Sequence, residues 1–295
     1  MNKLLITGVS GFLGWNIYQL AKSQWQVYGT CYSHYNLYSQ QNIIKTDLTD
    51  LVALKNLFKT IDPSAVIHTA AASKPNFCQT NPIESYEINV TASMNLAHLC
   101  AEYQIPCIFT STDLVFDGQN PPYSETDPVS PISYYGEQKV VAEQQMLEIY
   151  PATAVCRMPL MFGMPSPTAN SFIQGFIDNL QTGKELNLFI DEFRTPVSGT
   201  MAAQGLLLAL EQQVSGLLHL GGKERISRYQ FGLLLAETMG FSTDLIKPCR
   251  QKDVVMAAPR SPDTSLHSSK AFALGYQPLS LKEQLSLIPN SGGNK

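Results

Sequence analysis

Tyr135 and Lys139 form an acid–base pair if they share a helix face. Four residues apart, they stack one turn above the other, whereas Tyr134 and Lys139, five apart, lie about 140° apart around the axis. A phenol titrates near 10, and an ammonium roughly 5 Å away at an effective dielectric of about 20 favours phenolate by about 3 kcal/mol, roughly two pKa units. Such a pair would trade a proton near neutral pH, although an exposed aromatic beside a solvated lysine explains most pairs at this spacing. Two other stretches bear on the choice. An apolar run ends in Ser111-Thr112-Asp113, which collects hydroxyls and a carboxylate. Near the start, Thr7-Gly8-Val9-Ser10-Gly11-Phe12-Leu13-Gly14 follows the apolar run Lys3-Leu4-Leu5-Ile6.

The glycine stretch reads as strand, tight turn and helix, a layout for binding a nucleotide. Gly8 can take the positive-φ turn, Gly11 lets the backbone approach a pyrophosphate, and Gly14 lets helix and strand pack closely. Ser10, Phe12 and Leu13 complete the turn, and the helix N-terminus faces the phosphates. Residues 26–31 read as a second strand, whose end normally carries an acid for the adenosine ribose. Here Cys31, Tyr32, Ser33 and His34 stand instead, so a 2′-phosphate meets small polar donors and no repulsion. NADP(H) is therefore expected over NAD(H).

Residues 42–48 read as a short strand closed by Asp47 and Leu48, and 51–59 as a helix. Residues 65–72 form a buried strand running into Ala70, Ala71 and Ala72, small enough for a ligand to lie against, with His68 in the core. A long helix opens at Pro82 and contains Asn89, and 106–113 is the next strand. Pro131 and Ser133 mark the start of the helix carrying Tyr135 and Lys139. This alternation predicts an α/β fold with a doubly wound, mainly parallel sheet. The dinucleotide-binding domain is expected over residues 1–160. Prolines then accumulate, and a smaller substrate lobe is expected over 161–295, with some segments returning to the sheet. Helices are read at 170–180, 199–210, 228–239 and 280–287, a strand at 216–220, and a frayed tail at 290–295.

With 295 residues and 44% hydrophobic content, the chain has ample material for a core. A formal charge of −4 with 15% charged residues offers no basic footprint, so nucleic acid is not an expected partner. The six cysteines form no C-x-x-C pair, and reduced, packed thiols are expected without a metal site. No leader pattern or membrane-length apolar run is read, which points to a cytoplasmic protein with no membrane partner.

Together these motifs resemble the extended short-chain dehydrogenase/reductases, and most of all the dTDP-4-dehydrorhamnose reductase branch. The chain is also similar to the related regulatory subunit of methionine adenosyltransferase. The resemblance runs through the glycine turn, Asp47-Leu48, Ala70 to Ala72, Asn89-Val90, 111–118, Tyr135-Gly136-Glu137-Gln138-Lys139, Arg157-Met158-Pro159 and Arg260-Ser261-Pro262. It implies that Tyr135 gives a proton to the alkoxide left by hydride transfer, which needs such a donor. By the same resemblance Lys139 bonds the nicotinamide ribose, Thr112 bonds the substrate carbonyl, and Asn89 supports a proton-relay water. Asp47, Leu48 and the three alanines would wall the adenine and ribose, Pro159 the nicotinamide edge, and Arg194 would face the substrate diphosphate, with Arg260 a weaker candidate. The dehydratases of the superfamily follow the hydroxyl residue with Asp-Glu, whereas Leu114 follows Asp113 here, which disfavours dehydration. The reductases usually carry Tyr at Leu114, and the loop 73–78 differs from theirs, so the sugar is open. The expected activity is NADPH-dependent reduction of a nucleotide-linked 4-keto-6-deoxy sugar. The alternatives are an NDP-sugar epimerase with tightly bound NAD(P) and a non-catalytic regulatory subunit; a homodimer is left open.

Overall fold

The computed structural model describes residues 1–33 and 42–289, so His34 and the 290–295 tail lie outside the described residues. Seven parallel strands form the central sheet. In chain order they are β1 (Lys3–Thr7), β2 (Gln26–Cys31), β3 (Ile43–Lys45), β4 (Ala65–His68), β5 (Cys107–Thr112), β6 (Ala154–Met158) and the strand Gly216–His219. Across the sheet the order is β3, β2, β1, β4, β5, β6 and the Gly216–His219 edge. The order reverses between β1 and β4, and the crevice at the carboxyl ends there is where such sheets bind ligands.

Strand residues alternate between two cores, as the two-residue period requires. Leu4, Ile6 and Ile67 face α1 (Phe12–Ala21) and the helix Gly199–Glu211. Leu5, Val66, Phe109 and Val155 face α2 (Leu51–Ile61) and the helices Ala92–Tyr103 and Tyr134–Ile149. A second lobe has its own core, in which Phe162 of the strand Met161–Phe162 packs with Ile173, Phe231 and Leu285 from the helices Phe172–Gln181, Arg228–Met239 and Leu281–Ser286. It also returns chain to the first lobe, since Gly216–His219 pairs with β6. No helix among the described residues is long and apolar enough to cross a membrane.

Three local features differ from the sequence reading. The expected long helix from Pro82 is a short helix Pro82–Tyr86, a π turn Glu87–Thr91 and then Ala92–Tyr103. In the stretch read as a loop, Pro75 opens the helix Pro75–Thr80. Strand β6 carries a buried arginine, Arg157, in mid-sheet, which no apolar pattern announces.

At the first turn Gly8 has φ +73°, and a Cβ there would lie 2.7 Å from Ala70 Cα. A Cβ on Gly14 would strike the Gly8 carbonyl and come within 2.7 Å of Thr69 Oγ1. Gly14→Ala is expected to cost about 1–3 kcal/mol through overpacking. Gly175→Ala, in a helix interior with nothing near its added methyl, is expected to gain about 0.5–1 kcal/mol. Urea midpoints of the two variants should move in opposite directions.

Candidate active site

The glycine turn, the ends of β4 and β5 and the start of the helix Tyr134–Ile149 line one cleft of about 850 Å³, closed on the far side by the second lobe. Gly8, Ser10, Gly11, Phe12, Leu13 and Gly14 all stand in its wall. Gly11 caps α1 without a side-chain hydrogen bond, and the helix has no acid in its first turn. A Cβ on Gly11 would meet only the Gly8 oxygen, at 3.2 Å. Phe12, Leu13 and Gly14, the first residues of α1, therefore border the cleft at a helix N-terminus, a position that suits the phosphates of a dinucleotide. The second lobe secures this turn, because Ser166 and Thr168 hydroxyls both donate to the Ser10 carbonyl, at 2.9 and 2.8 Å.

Ala70 and Ala71 continue the wall, as do Ser33 and Pro159. Ala72 does not; its backbone is held by Asn89, whose Oδ1 accepts from Ala72 N at 2.8 Å and whose Nδ2 donates to Ala72 O at 3.2 Å. The same Nδ2 donates to Gln138 Oε1 at 2.9 Å. Asn89 is buried, outside the cleft wall, and positions rather than touches: it ties the end of β4 to the helix bearing Tyr135. Asp47 and Leu48 also stay off the wall. The Asp47 carboxylate accepts from Thr49 N and Oγ1 at 2.9 and 2.7 Å, turning the chain into α2, and Leu48 packs into the core. His68 is core as expected: its ring lies between Thr7 Oγ1 at 2.6 Å and Ser93 Oγ at 3.0 Å, and burial depresses its pKa to about 3.

Thr112, Tyr135 and Lys139 all line this cleft. Ser133 caps the helix by accepting from Gly136 N at 3.3 Å, and Gly136 sits against the Leu114 carbonyl, where no side chain would fit. That contact presses the first helical turn onto the exit of β5, where the Thr112 hydroxyl partly offsets the effect of burial on the Tyr135 phenol. Thr112 Oγ1 also accepts from Leu114 N and donates to Asp113 Oδ1, each at 3.2 Å.

The electrostatics differ from the expected ammonium-activated phenol. Burial pushes the Tyr135 phenol well above its ordinary value, with Asp113 and Cys78 adding to the rise. The Lys139 ammonium donates to Thr110 O at 2.7 Å and lies 4.0 Å over the Phe109 ring. Its own pKa is depressed to about 7 by burial, against the opposing pull of Glu143. Desolvation outweighs the Coulombic coupling on which the sequence argument rested. A phenol held protonated at neutral pH remains suited to giving a proton to an alkoxide.

Sequence reasoning overlooked much of the second-lobe wall. Arg194 does reach the cleft, but its guanidinium is engaged by Asp113 Oδ2 at 3.4 Å, Glu192 Oε1 at 3.7 Å, Phe193 O at 2.6 Å and Ser261 O at 3.1 Å. It braces the end of β5 against the second lobe. Glu192, Arg228 and Phe172 stand beside it, with Arg260 on the same wall. These residues come from separate loops and helix starts, and no spacing rule links them.

The chain matches the model of the RmlD substrate binding domain over residues 1–290. It is 29% identical over 280 residues to methionine adenosyltransferase 2 subunit beta of Rattus norvegicus, covering 92% of this chain and 82% of that protein. The crystal structure of a dTDP-4-dehydrorhamnose reductase from Clostridium acetobutylicum superposes with a TM-score of 0.85 at 26% identity, covering 96% of this chain and 97% of that one. A dTDP-4-dehydrorhamnose reductase from Bacillus anthracis, solved in complex with NADP, shares the fold with a TM-score of 0.86 at 21% identity and covers 97% and 98% of the two chains.

Because the folded state holds the Lys139 proton less well than the unfolded chain, the residue destabilises the fold fully below about pH 7 and ceases to do so as the pH rises toward 10.5. Lys139→Met is expected to gain about 1–3 kcal/mol at pH 6, after allowing for the lost bond to Thr110. That gain should fade between pH 7 and pH 10 in thermal melts.

Proposed function

The chain belongs to the RmlD substrate binding domain family, and on that footing we propose that it is an NADPH-dependent reductase of a nucleotide-linked 4-keto-6-deoxy sugar. The observation that carries the reading is that Thr112, Tyr135 and Lys139 line the same cleft as the glycine turn at the N-terminus of α1. A nicotinamide dinucleotide bound along that turn supplies the hydride. Gly8, Gly11 and Gly14 would cradle its pyrophosphate, Ala70 and Ala71 its ribose side, Lys139 its nicotinamide ribose and Pro159 the edge of the nicotinamide. Ser33 stands at the end of β2 without an acid, which favours the phosphorylated cofactor, and a structural neighbour was solved with NADP.

The chain's own residues then do three things. Thr112 hydrogen-bonds the substrate carbonyl oxygen and fixes its direction. Tyr135, kept protonated by burial, passes its proton to that oxygen as it becomes an alkoxide. Lys139, with a pKa near 7, can supply positive charge beside the phenolate that results and restore its proton. Tyr135 and Lys139 are themselves buried in the wall, and the low dielectric around them strengthens each of these contacts.

The similarity to a methionine adenosyltransferase subunit favours a second reading, in which the chain keeps the dinucleotide site and acts by binding another enzyme. One assay separates the readings. Absorbance of reduced nicotinamide is followed with the purified protein, NADPH or NADH, and a dTDP-4-keto-6-deoxy sugar. Net oxidation that is faster with NADPH and falls at least a hundredfold in Tyr135→Phe, with cofactor affinity nearly unchanged, is the expected outcome. Turnover retained in Tyr135→Phe would sink the reductase mechanism, and interconversion without net oxidation would indicate an epimerase. Tight NADPH binding without any turnover would support the regulatory role.

A further inference from the structure

His68 ends β4 fully buried, with Nδ1 at 2.6 Å from Thr7 Oγ1 and Nε2 at 3.0 Å from Ser93 Oγ. Its neighbours decide which ring nitrogen carries the proton. Thr7 Oγ1 accepts from the backbone N–H groups of Thr69 and Ala70, at 3.2 and 3.3 Å. A hydroxyl has two acceptor sites and one proton, so the Thr7 O–H is left to donate to His68 Nδ1, which must then be bare. On the other side Ser93 gives its own proton to the Asn89 carbonyl at 2.7 Å, which leaves its oxygen to accept from the Nε2–H of His68. Both sides require the same tautomer. Burial, with the Lys139 charge adding to it, holds the ring neutral.

The two bonds join the parts of the site that must keep register. Thr7 closes β1 directly before the glycine turn, and the Thr69 and Ala70 amides that it holds belong to the cleft wall, where Ala70 packs on Gly8. The Asn89 carbonyl belongs to the π turn, and the Asn89 side chain holds Ala72 and Gln138, the residue before Lys139. A third link leaves from the backbone of His68, whose carbonyl accepts from Thr110 Oγ1 at 3.0 Å, while the Thr110 carbonyl accepts from the Lys139 ammonium. Every donor in this buried chain runs in one sense, from Thr7 through His68 and Ser93 to Asn89. A group at position 68 that lacks either function orphans a buried hydroxyl.

We infer that His68, as the neutral imidazole with its proton on Nε2, is a positioning residue that ties the wall behind the glycine turn to the π turn supporting the helix of Tyr135 and Lys139. It stands off the cleft wall and acts through Thr7, Ser93 and Thr110. Its bearing on turnover rests on the reductase reading, whereas the tautomer and the links hold without it.

Long-range proton–nitrogen spectra of the histidine-labelled full chain at pH 6, below the ordinary imidazole value of about 6.5, read the tautomer directly. A ring with a protonated Nε2 and a bare Nδ1, absent from His68→Gln, is expected; a charged ring or a protonated Nδ1 at this position would overturn the inference. Two variants then separate the links. His68→Asn keeps an acceptor oxygen near the Nδ1 position but is too short for Ser93, and is expected to lower kcat about tenfold or more with NADPH affinity nearly unchanged. His68→Gln can carry an amide N–H to Ser93 but offers Thr7 no acceptor, so NADPH affinity should take the larger loss. Equal losses of both quantities in both variants, following a common drop in melting temperature, would reduce His68 to a packing residue and overturn the inference. If the wild type turns over no sugar, the reductase reading falls and amide exchange decides the matter. His68→Asn should speed exchange of the Ala72 amide, which Asn89 holds, and spare those of Thr69 and Ala70, and His68→Gln should do the reverse. The same exchange pattern in both variants would overturn the inference.

Discussion

Much of this structure depends on one buried ion pair. Glu143, one turn beyond Lys139, receives Arg157 Nε at 3.0 Å and Nη2 at 2.8 Å, with both side chains almost wholly out of water. Arg157 also reaches His219 Nε2 at 3.4 Å, and His219 Nδ1 contacts Tyr123 O at 3.1 Å. The pair therefore fastens the helix of Tyr135 to β6, the edge strand and the loop that follows β5. Removing either partner would leave a charge buried without compensation, which costs far more than the pair contributes. Such a fastening gives one orientation of the helix rather than a range, and the cleft needs one.

The same balance between burial and partners sets the chemistry. A protonated phenol, an ammonium near its titration point and an aspartate with a raised pKa line the same cleft, each shifted chiefly by its own burial. Each is held by a different element: Tyr135 by the Gly136–Leu114 contact, Lys139 by the β5 carbonyl of Thr110, and Asp113 by Arg194 and Thr264 from the second lobe. The second lobe is thus part of the site's electrostatics as well as its substrate wall. Ser166 and Thr168 make the link in the other direction, to the glycine turn.

Most of the fold was legible because short-range patterns specify it. Buried parallel strands appear as apolar runs, the helix of Tyr135 has a Ser133 cap, and the glycine turn has no other economical conformation. What escaped notice did so for identifiable reasons. Strand β6 has an arginine in place of an apolar residue, acceptable only because Glu143 waits fourteen residues earlier on a neighbouring helix. The π turn at Asn89 arises where Ser93 Oγ bonds the Asn89 carbonyl and the Asn89 side chain anchors Ala72 and Gln138, contacts that no helical period encodes.

For the site, the sequence by itself determined which groups are available and which can share a helix face: Tyr135 with Lys139, Thr112 at a strand end, and the glycines at the first turn. Covalent spacing and backbone geometry suffice for that. Only the tertiary structure decided their ionisation and their partners, because desolvation is a property of the assembled surroundings. It turned Lys139 toward Thr110, held the Tyr135 proton in place and drew Arg194 into the frame of the cleft.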